Sequence, residues 1–326
     1  MNHLSLQERF ALIALNGFES SRKTSNAHLA DRCLLISQLF DFILNEKMIL
    51  TETGYHFITS GFPCDKTSEK TAFEILKVKE DNRSLAGWVS AIENLPQKVI
   101  GQYAEELIDE MINTSLISEI PSLLECDFTF RSENIKSREY RSSYTQYHAE
   151  IESIRAEILG GSVISDAAFY LVWLLKQNGD LIKLFTQNEM VHLLNYIPEI
   201  SKENQLVHDL FEINIKGDII RGWKSFLTFK QSSGQTQTGV GVVSKIPIFQ
   251  KKESIFIETD KMFPNDEERV KDVKNLLESN GHICEVKSVG AVSLMEIDNV
   301  LYELVPDAIR NYVINIHGVR LRRYVI

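Results

Sequence analysis

The chain is poor in residues that announce a chemistry. It has four cysteines in 326 residues, Cys33, Cys64, Cys126 and Cys284, widely spaced and with no CxxC pair. That pattern excludes a zinc ribbon and a disulfide framework. Three of the four lie in apolar runs (Cys33-Leu34-Leu35, Leu124-Glu125-Cys126, Ile283-Cys284), which predicts small buried hydrophobes in a reducing compartment. Long apolar runs are missing too. The longest, AAFYLVWLL at 167–175, is well short of the ~20 residues a spanning helix needs. The first residues, MNHLSLQERF, lack the basic-then-apolar order of a secretory leader. Surplus positive charge is absent: 35 Lys and Arg stand against 45 Asp and Glu, a net charge of −10. That balance argues against a dedicated nucleic-acid binder, which needs clustered positive surface. Together these features predict a cytoplasmic protein whose membrane association, where it occurs, is peripheral.

Catalytic signatures are equally scarce. The eight histidines form no HExxH or HxH pattern and no metal spacing with a cysteine. No GxSxG elbow or Walker lysine is present. Gly239-Val240-Gly241-Val242-Val243-Ser244 superficially resembles a phosphate loop but lacks the third glycine and follows a polar stretch. His208-Asp209 and Tyr147-His148 are neighbours that chance readily supplies. Glu105 and Asp109 share a helix face and read as solvated surface, and Asp266, Glu267 and Glu268 suit a helix's first turn. The expectation is a non-enzymatic protein with no catalytic residues, no metal and no cofactor.

What the chain does have is apolar periodicity. At this length one core is unlikely to serve, and two domains are expected. Ser5-Leu6-Gln7-Glu8 has capping-box spacing ahead of a helix ending at Asn16-Gly17. A second helix, 27–44, precedes a hairpin in MILTETGYHFI. In RSLAGWVSAIENL, Leu85, Trp88, Val89, Ile92 and Leu95 form a one-sided stripe, with Ser84 as N-cap. A helix from Pro96 to Met111 leads to a second hairpin turning near Pro121-Ser122, then a polar, basic run at 131–141. Helices at 143–159 and 165–185 follow, then a less regular helical stretch to 229. The segment 230–244 is a Ser/Gly/Gln/Thr-rich linker. Beyond it, 245–326 reads as a small α+β domain of ferredoxin-like size, with a hairpin at Asp298-Asn299, a short helix in PDAIRNYVINI and a closing strand in VRLRRYVI. Arg320 and Arg322 share one face of that strand, where they either meet an anion or, as preferred, protect a sheet edge.

The ordered elements of the first half, LSLQERFALIALNG, LFDFILNEKMIL, AFEILKVKE, RSLAGWVSAI and LIDEMINTSLISEIPSLL, resemble the Golgi phosphoprotein 3 family over about residues 3–185. The resemblance implies a mainly helical domain with β-hairpins, residues 1–185, continued by a helical extension at 186–229. Its eukaryotic members bind membranes peripherally, recognising phosphatidylinositol 4-phosphate and the cytoplasmic tails of glycosyltransferases. The family's headgroup pocket uses a tryptophan and several arginines. Ungapped, Leu35 falls at one expected arginine and Asn26 at the tryptophan, whereas one extra helical turn brings Arg32 to that arginine position. The two further arginines fall near Gly101 and Ala104. The headgroup candidates are thus Arg32 with Arg131, Lys136, Arg138 and Arg141, the last four otherwise an ordinary solvated loop, the favoured alternative. In the family, an apolar hairpin inserts into the bilayer or self-associates. Here that corresponds to 117–130, with Leu123 and Leu124 beside the turn. Packing of these leucines on their own domain or a subunit partner is preferred to membrane insertion.

Two functions follow as expectations. One is a peripheral adaptor using anionic lipid and an unidentified protein partner. The other is a protein-interaction or regulatory scaffold that keeps the fold and has lost the lipid site.

Overall fold

Local capping and one central helix organise the larger part of the fold. The computed structural model describes residues 4–19, 25–58, 66–78, 83–128, 138–160, 163–215, 254–259, 265–290, 292–311 and 314–324. Helix α1 (Leu6–Leu15) starts at the expected capping box, with Glu8 accepting from Ser5 N at 2.9 Å and Ser5 Oγ accepting from Glu8 N at 3.2 Å. The next two backbone donors are met from outside: the carboxylate of Asp41 in α2 (Ser25–Leu44) accepts from Leu6 N and Gln7 N at 2.9 and 2.8 Å. Unpaired N-terminal donors need such partners, so this contact fixes α1 on α2. Burial raises the Asp41 carboxyl to about 6, against the lowering effect of those same donors.

The apolar α2 is wrapped by the rest of the body, with Cys33, Leu34, Leu35, Ile36, Leu39 and Phe40 all buried. After it come the expected hairpin β2 (Met48–Thr51) and β3 (Gly54–Phe57), then α3 (Thr67–Lys77), α4 (Leu85–Glu93) and α5 (Gln97–Asn113). Trp88 is completely buried, donates from Nε1 to Tyr55 O at 3.1 Å and meets the Phe57 ring edge-on at 6.0 Å. The stripe seen in RSLAGWVSAIENL is therefore core, and its indole donor is satisfied. Helices α6 (Tyr144–Leu159), α7 (Asp166–Asn178), α8 (Leu181–Leu184), α9 (Gln187–Ile200) and α10 (Gln205–Glu212) complete the helical body. From α7, Tyr170 stacks on Phe40 of α2 at 4.2 Å. No helix among the described residues is long and apolar enough to cross a membrane.

The second hairpin departs from expectation. Strand β4 (Ile117–Pro121) does not turn back at Pro121-Ser122; it runs into a 3₁₀ helix, Leu123–Cys126. Ser122 Oγ accepts from Leu124 N at 3.3 Å, which tightens the chain into that turn. The partner of β4 is β5 (Arg138–Ser142), with Ile117 opposite Ser142 and Pro121 opposite Arg138. On its other edge β5 pairs with β1 (Phe18–Glu19). Part of the basic run taken for a loop is thus the central strand of a three-stranded sheet.

The C-terminal part is α+β, as expected: β6 (Ser254–Glu258), α11 (Asp266–Ser279), β7 (Cys284–Ser288), β8 (Ser293–Ile297), β9 (Val300–Asn311) and β10 (Ile314–Arg323). The strands form one antiparallel sheet in the order β6-β10-β9-β8-β7. Where a short helix was expected in PDAIRNYVINI, residues 306–311 and 314–316 are instead paired ends of β9 and β10, Pro306 facing Val319 and Ile309 facing Ile316. Branched residues such as Val305, Ile309, Ile314 and Ile316 suit the extended chain. A second core lies under this sheet. It combines Val270, Val273 and Leu277 of α11 with Ile255, Ile257, Met295, Leu304, Val319 and Leu321, and it takes in Leu123 and Cys126 from the middle of the chain. The mainly helical body and the small α+β part therefore share the 3₁₀ helix. The expected linker at 230–244, with the Gly239–Ser244 stretch, lies outside the described residues.

Candidate functional site

The residues expected to bind a headgroup are not gathered into one site. Arg32, on α2, is half-buried and turned towards its own fold. Its Nη1 donates to His28 O at 3.0 Å and to Gln97 Oε1 at 3.2 Å, and its Nε to Glu93 O at 3.4 Å. Gln97 in turn donates to Asp31 Oδ2 at 2.9 Å. Burial raises the Asp31 carboxyl to about 6, opposed by the Gln97 hydrogen bond and the Arg32 charge. Arg32 thus ties α2 to the α4–α5 junction. Two other positions of the expected pocket are filled: Leu35 is fully buried and Ala104 faces the core. Gly101, by contrast, has open space where a side chain would begin.

The basic run also separates. Arg131 and Lys136 lie outside the described residues, and Arg138 is exposed at the start of β5 opposite Pro121. Arg141 turns towards the C-terminal sheet, where its Nη1 donates to Asp298 Oδ1 at 3.0 Å and Gly281 O at 3.3 Å. Leu123 is only 5% exposed, packed in the second core, with Leu124 partly buried beside it. The two leucines thus pack on their own chain, the reading preferred over membrane insertion, and what departs from expectation is the hairpin that was to carry them.

What the structure does bring together is a polar seam between body and sheet. Its key is the β8–β9 turn, where Asp298 and Asn299 have φ of 48° and 67°. Asp and Asn tolerate this left-handed backbone better than most residues, and a tight two-residue hairpin requires it. The turn plugs into a slot beside α1 and β5. Asn299 Nδ2 donates to Ser142 O at 2.8 Å and to Asn16 Oδ1 at 3.0 Å. Asn16 Oδ1 also accepts from Ser142 N at 3.0 Å, and its amide donates to Asp298 O at 3.2 Å. Alongside, Glu296 accepts from His148 Nε2 and from Lys287 Nζ, each at 3.0 Å. These contacts, the His148 bond first, hold the Glu296 carboxyl below the usual range despite its burial.

Asp298 is the hub of this seam. Besides Arg141 it accepts from His282 Nδ1 at 2.7 Å and from Ile283 N at 3.1 Å. Burial alone would raise its pKa, but His282, the Ile283 amide and Arg141 together hold it low. His282 is buried, and burial alone would push its pKa down. The Asp298 carboxylate and the neighbouring Cys126 thiol outweigh that and raise it to about 9. His282 is therefore an imidazolium at neutral pH, and Arg141 and His282 share one carboxylate across the body–sheet boundary. Sequence reasoning singled out Arg141 and the Asp298-Asn299 turn separately, but nothing in the sequence connected them to His282 or Asn16.

No protein-family model matches the chain, and no curated protein sequence does.

Proposed function

We propose that the chain is a non-enzymatic protein-interaction scaffold, built on a Golgi phosphoprotein 3-like helical body whose headgroup site is closed. The observation that carries this reading is the internal commitment of Arg32 to His28 O, Gln97 and Glu93 O. A guanidinium that recognises phosphate must offer its fork outward; this one braces two helices. The buried Leu35 and Ala104 and the net charge of −10 weigh the same way. The three described cysteines are unpaired, which suits a reducing compartment.

The test is sedimentation with phosphatidylcholine vesicles, with and without phosphatidylinositol 4-phosphate. The pelleted fraction should not depend on the phosphoinositide, and Arg32→Ala should lower thermal stability while leaving that fraction unchanged. Pelleting that requires phosphatidylinositol 4-phosphate and is lost in Arg32→Ala would overturn the scaffold reading in favour of a lipid-binding adaptor.

A further inference from the structure

The second core holds two thiols, Cys126 on the 3₁₀ helix and Cys284 at the start of β7, both buried and unpaired. Cys126 neighbours the His282 ring, whose Nδ1 is fixed by Asp298 at 2.7 Å. The His282 Nε2 is buried and makes no well-formed hydrogen bond. A thiol next to an imidazole that a carboxylate orients from behind is the arrangement that activates a cysteine.

We propose that Cys126 is a hydroperoxide-reactive modification site, with His282 as its proton partner, Asp298 orienting that ring and Cys284 as the resolving thiol. The inference is independent of the scaffold reading above.

The placement of charge supports it. Arg141, Asp298 and His282 form a run of cation, anion and cation that passes from the partly exposed Arg141 to the buried His282. The cationic ring at the end of that run lies beside Cys126, where it holds the proton that a departing peroxide oxygen takes up. The third described cysteine, Cys33, offers the contrast. It is fully buried in the helical core with its thiol pKa pushed well up, by burial first and the Asp180 charge next.

The chemistry balances without another reactant. The Cys126 sulfur attacks one peroxide oxygen, forming the S–O bond and breaking the O–O bond. The departing oxygen takes the His282 proton and leaves as water (as an alcohol from an alkyl hydroperoxide), and the Cys126 thiol proton replaces it on His282. Sulfur is oxidised by two electrons to the sulfenic acid and the peroxide is reduced. The Cys284 thiol then attacks that sulfur, releasing a second water and leaving a Cys126–Cys284 disulfide. The product would staple the 3₁₀ helix of the body to an edge strand of the sheet.

The test uses the full chain, reduced and then treated with hydrogen peroxide, with peptide mass spectrometry after alkylation. A Cys126–Cys284 disulfide should form, and in Cys284→Ser a dimedone adduct should accumulate on Cys126. In the folded wild-type chain Cys126 should react at least about tenfold faster than Cys33, as expected when one thiol is activated and the other is not. His282→Gln should remove that advantage while circular dichroism remains native. If that variant does not fold, the wild-type comparison of Cys126 with Cys33 still decides. Equal protection of Cys126 and Cys33, or a disulfide joining Cys126 to a cysteine other than Cys284, would overturn the proposal.

Discussion

Asp298→Asn removes the charge at the hub of the seam while nearly preserving the side chain's shape. The wild-type carboxylate serves His282 Nδ1, Ile283 N and Arg141 Nη1 at 2.7, 3.1 and 3.0 Å. An amide cannot serve all three, and it leaves two cations facing a neutral group. Breaking a buried pair in this way costs about 3–5 kcal/mol. Part of that cost depends on pH, and its sign is fixed. The folded-state pKa of His282 is about 9, above its ordinary value of 6.5, so between these values the folded chain binds more protons than the unfolded one. The stabilisation is therefore fully present below pH 6.5 and is lost as pH rises through 9. A shift from 6.5 to about 9, at about 1.4 kcal/mol per unit, amounts to about 3 kcal/mol. Asp31 and Asp41, both raised by burial to about 6, act with the same sign in a lower window: their contribution declines as pH rises from the ordinary carboxyl range to about 6. They are common to both chains and cancel in the difference. Urea unfolding from about pH 6 to about pH 9.5 should show the wild type losing about 3 kcal/mol more than Asp298→Asn, so that the two curves converge at high pH. Curves that stay parallel across that range would refute the role given to His282 and Asp298.

Two further substitutions separate core from surface roles. Trp88→Ala removes a fully buried ring and the donor to Tyr55 O, and should cost about 3–5 kcal/mol in denaturant unfolding; unchanged stability would show that Trp88 is not a core residue. Leu123→Ala should cost about 2–5 kcal/mol, because its side chain sits in the second core. Tryptic cleavage should then accelerate in the C-terminal sheet before the helical body, and a variant as resistant as wild type would contradict that placement.

The local signals were the ones readable in the sequence. The Ser5–Glu8 box, the Leu85–Ile92 stripe, the first hairpin and the Asp298-Asn299 turn each depend on residues within one or two turns of one another. The misread segments depend on distant partners. Arg138 to Ser142 looks like a solvated basic loop because its strand character comes from pairing with β1 and β4 rather than from its own side chains. Residues 117–130 look like a hairpin because the strand that pairs with β4 is β5 rather than the segment next in sequence, and the core that receives Leu123 is built by a sheet more than a hundred residues later. PDAIRNYVINI carries enough helix-tolerant residues to suggest a turn of helix, and only pairing between β9 and β10 makes residues 306–311 and 314–316 extended. At the seam, Asn16, Arg141, His282 and Asp298 come from four separate parts of the chain, with no spacing pattern to join them. Arg32 is the reverse case: residue type suggested a ligand contact, while the acceptors that engage it lie one helical turn away and across a helix junction.

The long reach of the Asp298-Asn299 turn also bears on the order in which the molecule is made. Synthesis runs from the N-terminus, so Asn16, Ser142 and the 3₁₀ helix leave the ribosome long before the turn that engages them. During that interval the slot remains hydrated, and Leu123 and Cys126 have no sheet to cover them. Closing so wide a loop comes late in folding, because its entropic cost must be met before its contacts form. The nascent helical body therefore presents a temporary apolar edge, and a chaperone that recognises this chain during translation would find its first foothold there.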